Sequence, residues 1–266
     1  MNDVKFHLVL KIPLLRALWL VAGLMLLGHV VVLYLYVEHG VSRDWGIPRH
    51  FDLNAEANLA AWFQALPLLL ASLVTLGLAM HYRAQRAPLA GRWGVLSGLF
   101  LLMSVDELAQ LHDLFTGPLR RRLDLDFGIL YFTWLLPAVV FLAFAAWYFL
   151  PLVRSLPRTI SLRLVVSMVV YFGGAVVVEM LSGVVAESGR RSTPYLIVQT
   201  FEETCEIVGL LLALGTLVRM LHLVQPRMAI ELLGPSGTFA IAPAERRPGA
   251  SGDGTATRGP AAERLP

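Results

Sequence analysis

The 266-residue chain has one cysteine, Cys205, so no internal disulfide staples its fold and redox chemistry does not reveal its compartment. Charged residues are scarce too, at 15%, against 56% hydrophobic residues. The mean hydropathy is +0.65, more apolar than a soluble domain of this length needs. There is no Ser-His-Asp set, Walker loop, Rossmann fingerprint or zinc-peptidase motif, and those chemistries fall away with them. No internal repeat is visible. The period-2 pattern of a membrane barrel is absent, and with it that fold. No small-residue cleavage site closes the first apolar run, which ends in "YLYVEHG"; the run reads as an uncleaved span.

What the chain does have is long apolar runs. Six reach or approach the ~20 residues that cross a bilayer: about 13–37, 57–82, 92–117, 128–151, 160–187 and 194–224. Lipid cannot satisfy free backbone groups, so each run is expected as a helix. The predicted fold is all-α: an integral-membrane bundle of six transmembrane helices over 13–224, after a cytoplasmic N-terminus at 1–12. The first loop, Glu38–Asn58, carries Gly-Ile-Pro and Asp/Asn signals of turns rather than a helix. The other links are short, as antiparallel neighbours require. Gly234–Pro266 holds 11 Gly or Pro in 33 residues, so 225–266 is expected as a disordered cytoplasmic tail.

The net charge of +3 and pI near 9.2 do not require nucleic acid, because the basic residues sit beside the apolar runs. Eleven lie on one side: Lys5, Lys11, Arg16, Arg83, Arg86, Arg92, Arg154, Arg158, Arg163, Arg219 and Arg227. Seven lie on the other: Arg43, Arg49, Arg120, Arg121, Arg122, Arg190 and Arg191. The positive-inside rule then places both termini in the cytoplasm.

Against this background the acids stand out. "SVDELAQLHD" brings Asp106, Glu107, His112 and Asp113 to the end of the third run. "GGAVVVEMLSG" carries Glu179 and Ser182, and "QTFEETCEIVG" carries Glu202, Glu203 and Glu206. Charge at bilayer depth costs at least ~2.5–3.5 kcal/mol on insertion scales, so such residues face a bundle interior. Their depths agree. Glu107 lies 15 residues beyond Arg92, Glu179 lies 16 beyond Arg163, and Glu203 lies 16 before Arg219. At about 1.5 Å per residue, all three sit roughly 22–24 Å above the cytoplasmic floor, in the outer leaflet. Glu203 and Glu206 share a face, as do Glu202 and Glu206. Glu179 shares a stripe of small residues with Ser182 and Gly183. Glu107 and His112 are about 140° apart round an ideal helix, so they meet only if the helix unwinds there. The Glu-x-x-His spacing of di-iron bundles is missing.

These residues leave three functions open. The leading one is a metal site with Glu107, His112, Glu179, Glu203 and Glu206 as ligands, and Asp106, Glu202, Ser182 and Asp113 supporting them. A divalent ion (Fe, Mn, Zn or Ca) would suit that shell, as in a metal-dependent membrane enzyme acting on a lipid or lipophile. The second is a proton- or cation-coupled transporter or channel component. The third is an assembly or sensor subunit whose acids only fasten helices together. Cys205 reads as a small apolar filler. His39 and His50 read as loop residues, and His81 and His222 lie at the opposite, cytoplasmic end.

The segments "FDLNAEAN", "SVDELAQLH", "GAVVVEM" and "EETCEIVG" resemble those of uncharacterised bacterial multi-pass membrane proteins, over roughly residues 38–215. Two positions depart from that pattern: Asp113 stands in place of Glu, and Ile207 in place of Met. The resemblance implies a bacterial cytoplasmic (inner) membrane location and carries no activity over. It does not extend to the histidine-rich pattern of alkaline ceramidase-like hydrolases.

Overall fold

A computed structural model describes residues 12–55, 57–124, 127–224, 228–232 and 239–243. Its helices, in order, are α1 (Ile12–His39), α2 (Gly46–Phe51), α3 (Leu59–Ala84), α4 (Ala90–Ala109), α5 (Asp113–Leu123), α6 (Leu135–Ser155), α7 (Arg158–Phe172), α8 (Glu179–Ala186) and α9 (Thr193–Val224). Five helical stretches are long and apolar enough to cross a bilayer: Pro13–His39, Leu59–Ala84, Leu135–Ser155, Arg158–Ala186 and Thr193–Val224. Their outer faces are lined by exposed Leu, Val and Phe side chains, such as Leu20, Val140 and Val169.

The inner helices are α3 and α9, whose buried faces hold Leu68, Val74, Leu78, Leu211, Leu214 and Leu217. The α3–α4 pair is stitched by small polar side chains. The hydroxyl of Ser72 donates to the Ser97 carbonyl at 2.9 Å, and that of Ser97 donates to the Ser72 carbonyl at 2.9 Å. Ser104 adds a bond to the Ala65 carbonyl at 2.9 Å. Small residues let the backbones approach, and hydroxyls spend their bonding capacity across the gap. The α7–α9 pair closes in a similar way at Gly209. A Cβ there would come within 2.5 Å of the Tyr171 nitrogen and 2.7 Å of its Cα.

The span from Arg158 to Ala186 is not uniformly α-helical. Gly173–Val178 winds as a π-helix between α7 and α8. Such turns insert a residue and shift the phase of everything beyond them. Here the shift is matched to α9: a Cβ at Gly174 would lie 2.8 Å from the Glu202 carbonyl and 2.9 Å from the Cys205 Cβ.

Two expectations are corrected. The third run does not continue to 117. α4 stops at Ala109, because Gln110 takes a left-handed conformation (φ 55°), and a separate helix, α5, restarts at Asp113. At 20 residues α4 spans about 30 Å, yet it carries Arg92, Asp106 and Glu107 and is the most polar of the long helices. The first loop is not all turn: Gly46–Phe51 forms α2, with Pro48 in the first turn, where a missing N–H leaves no bond broken. In the tail, Met228–Leu232 and Phe239–Pro243 pair as antiparallel strands β1 and β2. The rest of 225–266, residues 1–11, Glu56 and the side chain of Asp113 lie outside the described residues.

Gly209→Ala should cost about 1–3 kcal/mol, because Tyr171 offers backbone, not a flexible tip, to the new methyl. Gly94→Ala, which meets nothing within 4 Å, should be neutral or mildly stabilising. Thermal unfolding followed by circular dichroism in detergent separates the two. Equal midpoints would refute the close approach.

Candidate functional site

The break at Gln110 sets the geometry of the first motif. Beyond it the chain turns back, and His112 closes on Asp106 twice: its backbone N–H donates to Oδ1 at 2.8 Å, and its ring Nδ1 stands 3.0 Å from Oδ2. The helix therefore does unwind where the sequence demanded it, but the histidine meets Asp106. The His112 ring also lies 5.0 Å, centroid to centroid, from that of Trp134. Trp134 in turn donates its indole N–H to Glu179 Oε1 at 3.0 Å.

On α9 each acid has its own surroundings. Glu202 is buried and accepts from the Ser182 hydroxyl at 3.1 Å, a group that also lies 3.0 Å from the Glu179 carbonyl. Glu203 accepts from the Gln64 amide at 3.0 Å, across from α3. Glu206 lies against Gly174, whose missing side chain leaves it room. Glu206 feels the charges of Glu203, Glu202, Glu107 and Glu179, and Glu203 feels those of Glu107, Glu202 and Asp52. Tyr171 sits beneath them, within electrostatic reach of Glu206, Glu107, Glu203 and Asp106.

The structure thus brings Glu107, Glu179, Glu202, Glu203 and Glu206 into one region of the bundle, from α4, α8 and α9. Among the described residues, no three His, Cys, Asp or Glu side chains stand together so as to hold a metal ion. His112 is turned onto Asp106, and the donors that meet Glu179, Glu202 and Glu203 are the neutral Trp134, Ser182 and Gln64.

The family model described as Domain of unknown function (DUF8692) matches residues 12–220. The chain belongs to this family. No curated protein and no solved structure matches it. The DUF8692 match covers every site residue named above.

The DUF8692 fold also buries a polar node that the motifs did not announce. His29, in the middle of α1, is fully buried. The Leu53 N–H donates to its Nδ1 at 3.1 Å. A backbone N–H can only donate, so Nδ1 carries no proton. Nε2 must then hold it, and donates to the Thr200 hydroxyl oxygen at 3.1 Å. The Thr200 hydroxyl in turn donates a hydrogen bond to the Leu196 carbonyl at 2.7 Å. Asp52 Oδ1 lies 3.5 Å from Nδ1, a distance that suits an ion pair with a charged ring. The Leu53 N–H decides for the neutral ring. Asp52 is held instead by Arg43 at 3.1 Å. Burial raises the Asp52 carboxyl above the usual carboxylate range, and Arg43 opposes that shift.

Around this node the "FDLNAEAN" loop folds against α1 and α3. Phe51 packs on Gly28, where a Cβ would meet its ring at 2.5 Å. Asn58 caps α3 by accepting the Ala61 N–H at 2.8 Å, and its amide donates to the Asp52 and Arg49 carbonyls at 2.7 and 2.8 Å. One signal for this node was present in the sequence: a lone histidine in the apolar run "LMLLGHVVVLYLY".

Two outcomes are expected. Nitrogen-15 shifts of His29 at neutral pH should place its proton on Nε2; a proton on Nδ1 would contradict the Leu53 bond. Asn58→Ala should cost roughly 2 kcal/mol, a lost helix cap plus stranded loop carbonyls, while Asn58→Asp should recover the cap alone. Denaturation of the two variants in detergent measures the difference.

Proposed function

We propose that the chain is a six-span integral membrane protein of the bacterial cytoplasmic membrane, with α4 as the sixth crossing and both termini cytoplasmic. The excess of Lys and Arg at one end supports that orientation. On this reading the acids of α4, α8 and α9 lie in the outer leaflet. They form a carboxylate pocket that takes up protons or a single cation.

The observation that carries this reading is that neighbouring acids of α9 are held by neutral donors: Gln64 on Glu203 and Ser182 on Glu202, with Glu206 against Gly174 beside them. Carboxylates within one turn of a helix at bilayer depth are costly to hold charged together. They must hold protons between them or admit a cation. Gln64 and Ser182 hydrogen-bond a carboxyl without fixing its charge, which leaves the pocket able to exchange. Arginine partners would have locked it instead. The separate donors on Glu179, Glu202 and Glu203 favour this over a divalent metal shell, which needs several ligands aimed at one point.

Infrared difference spectra of the purified protein in lipid nanodiscs should show protonated carboxyl bands that respond to pH. Glu206→Gln and Glu203→Gln should each remove part of that signal and reduce proton uptake by about one per molecule. Elemental analysis of the same sample provides the counter-test. A stoichiometric Mn, Fe, Zn or Ca, lost in Glu206→Gln, would replace this reading with a metal centre.

A further inference from the structure

Two cavities lie along one seam of the bundle. The larger, of about 480 Å³, runs between α4, α6, α7 and α9. The smaller, of about 380 Å³, forms where α3, α6 and α9 end and α4 begins. They meet, because Trp93, Leu152 and Leu156 line both. Each volume falls in the range of small-molecule sites, well beyond a packing defect. The seam exists because α6 is buried only at Leu135 and Leu152, near its two ends, so the middle of that helix stands off the bundle.

The larger cavity is hydrocarbon apart from methionine sulfurs and the polar tips of Trp93 and Tyr171. It extends from Trp93 to Met103 on α4, about 15 Å, and from Phe141 to Val153 on α6, about 18 Å. That is roughly half the ~30 Å hydrocarbon thickness of a bilayer, the depth of one leaflet. The smaller cavity adds the hydroxyls of Tyr82 and Ser155, and arginines ring it. Ala87 follows Arg86, Trp93 follows Arg92, Ser155 follows Arg154, and Pro157 precedes Arg158. Consecutive Cα atoms are about 3.8 Å apart, so each guanidinium is tethered at the edge of the cavity. The Arg92 guanidinium lies 5.2 Å from the centre of the Tyr148 ring, which holds that charge across the gap between α4 and α6. Arg86, Arg154 and Arg158 are exposed, and none of the four arginines pairs with an acid among the described residues. The sequence explains why: no Asp or Glu occurs in 57–105, 127–178 or 207–230, the segments that line both cavities.

We propose that this seam binds an anionic phospholipid, with one acyl chain in the larger cavity and the phosphate at the arginine rim of the smaller. Depth, lining and charge choose the occupant together. The larger cavity is as deep as one leaflet and asks its occupant for no hydrogen bond, which suits an acyl chain. The rim offers several cations and no acid, which suits a head of net negative charge. A zwitterionic head brings its own cation against Arg92 and Arg154, and a free anion leaves the apolar cavity unused. The seam opens at the end of α4 away from Asp106 and Glu107, and the inference does not depend on what the carboxylate pocket takes up.

The test uses the full chain in nanodiscs holding equal amounts of phosphatidylglycerol and phosphatidylcholine with matched acyl chains. Native mass spectrometry should show one phosphatidylglycerol retained per chain, at least fivefold over phosphatidylcholine. Arg92→Gln with Arg154→Gln should lower that retention at least fivefold, and Arg92→Lys with Arg154→Lys should keep most of it. Arg121→Gln with Arg122→Gln, on α5 and far from the seam, should leave it unchanged. Ala145→Phe, which fills the larger cavity from α6, should lower retention at least fivefold. In case that variant misfolds, phosphatidylglycerol with a diazirine at one chain end should label the wild-type protein near Met103 or Phe141. A diazirine close to the glycerol should label near Trp93 or Leu152.

Equal retention of the two lipids overturns the proposal. So does an Arg121 and Arg122 variant that loses the anionic lipid as fully as the Arg92 and Arg154 variant, since binding would then follow net charge and not this rim. Labelling confined to the outward Phe144 and Trp147 overturns it as well. A cross-link from one chain to another through the seam would make a second copy the occupant and remove the lipid from it.

Discussion

Holding several carboxylates among apolar helices is the constraint around which this structure is built. Each such group forfeits its hydration, and in hydrocarbon nothing replaces it unless the protein does. The replacements here come from different helices: Gln64 of α3 for Glu203, Ser182 of α8 for Glu202, and the Trp134 indole for Glu179. Because each donor lies on a different element from its acceptor, the hydrogen bonds also fix how those elements pack. Removing the acids would therefore do more than remove charge. It would erase the polar contacts that register α9 against α3 and α8.

That registration accounts for the irregularities of the fold. A straight α-helix from Arg158 to Ala186 would present Glu179 at a different angle. The π-helical turn at Gly173–Val178 resets the phase just before it, and Gly174 lets α9 close against the turn. The left-handed Gln110 ends α4 three residues beyond Glu107, and the chain reverses so that His112 clamps Asp106. Both devices sit beside acids. Neither falls where the helices simply pack on one another, as at Ser72 and Ser97.

Much of the bundle was legible from apolar run length alone, because lipid leaves the backbone little choice but helix. Spacing gives Glu107, Glu179 and Glu203 one expected height, since rise per residue converts distance along the chain into depth. The break at 110 was less legible. "ELAQLHDLF" keeps apolar residues at helical spacing, and a glutamine in the left-handed region sends no glycine-like signal. The π-turn was hidden for a related reason. Its cause is a tertiary fit between Gly174 and the Glu202–Glu206 face, which no local pattern encodes. The role of His29 is hidden from local pattern because it depends on a loop 24 residues away donating through Leu53. Side-chain partners were the least legible layer: spacing says which residues share a face, not whether His112 turns toward Glu107 or Asp106.

The same packing logic leaves an apolar cavity of about 480 Å³ between α4, α6, α7 and α9. α9 packs on α3, α7 and α8, where Glu202 is buried and Glu203 and Glu206 are half-buried. α6 has no comparable partner and brings only Leu135 and Leu152 into the interior. A helix attached at its ends but not its middle leaves that space between itself and the bundle. The Arg43–Asp52–His29 node and the Asn58 cap, meanwhile, hold the first loop against α1 and α3. One asymmetry underlies the cavity: α9 is packed on its protein side, and α6 is not.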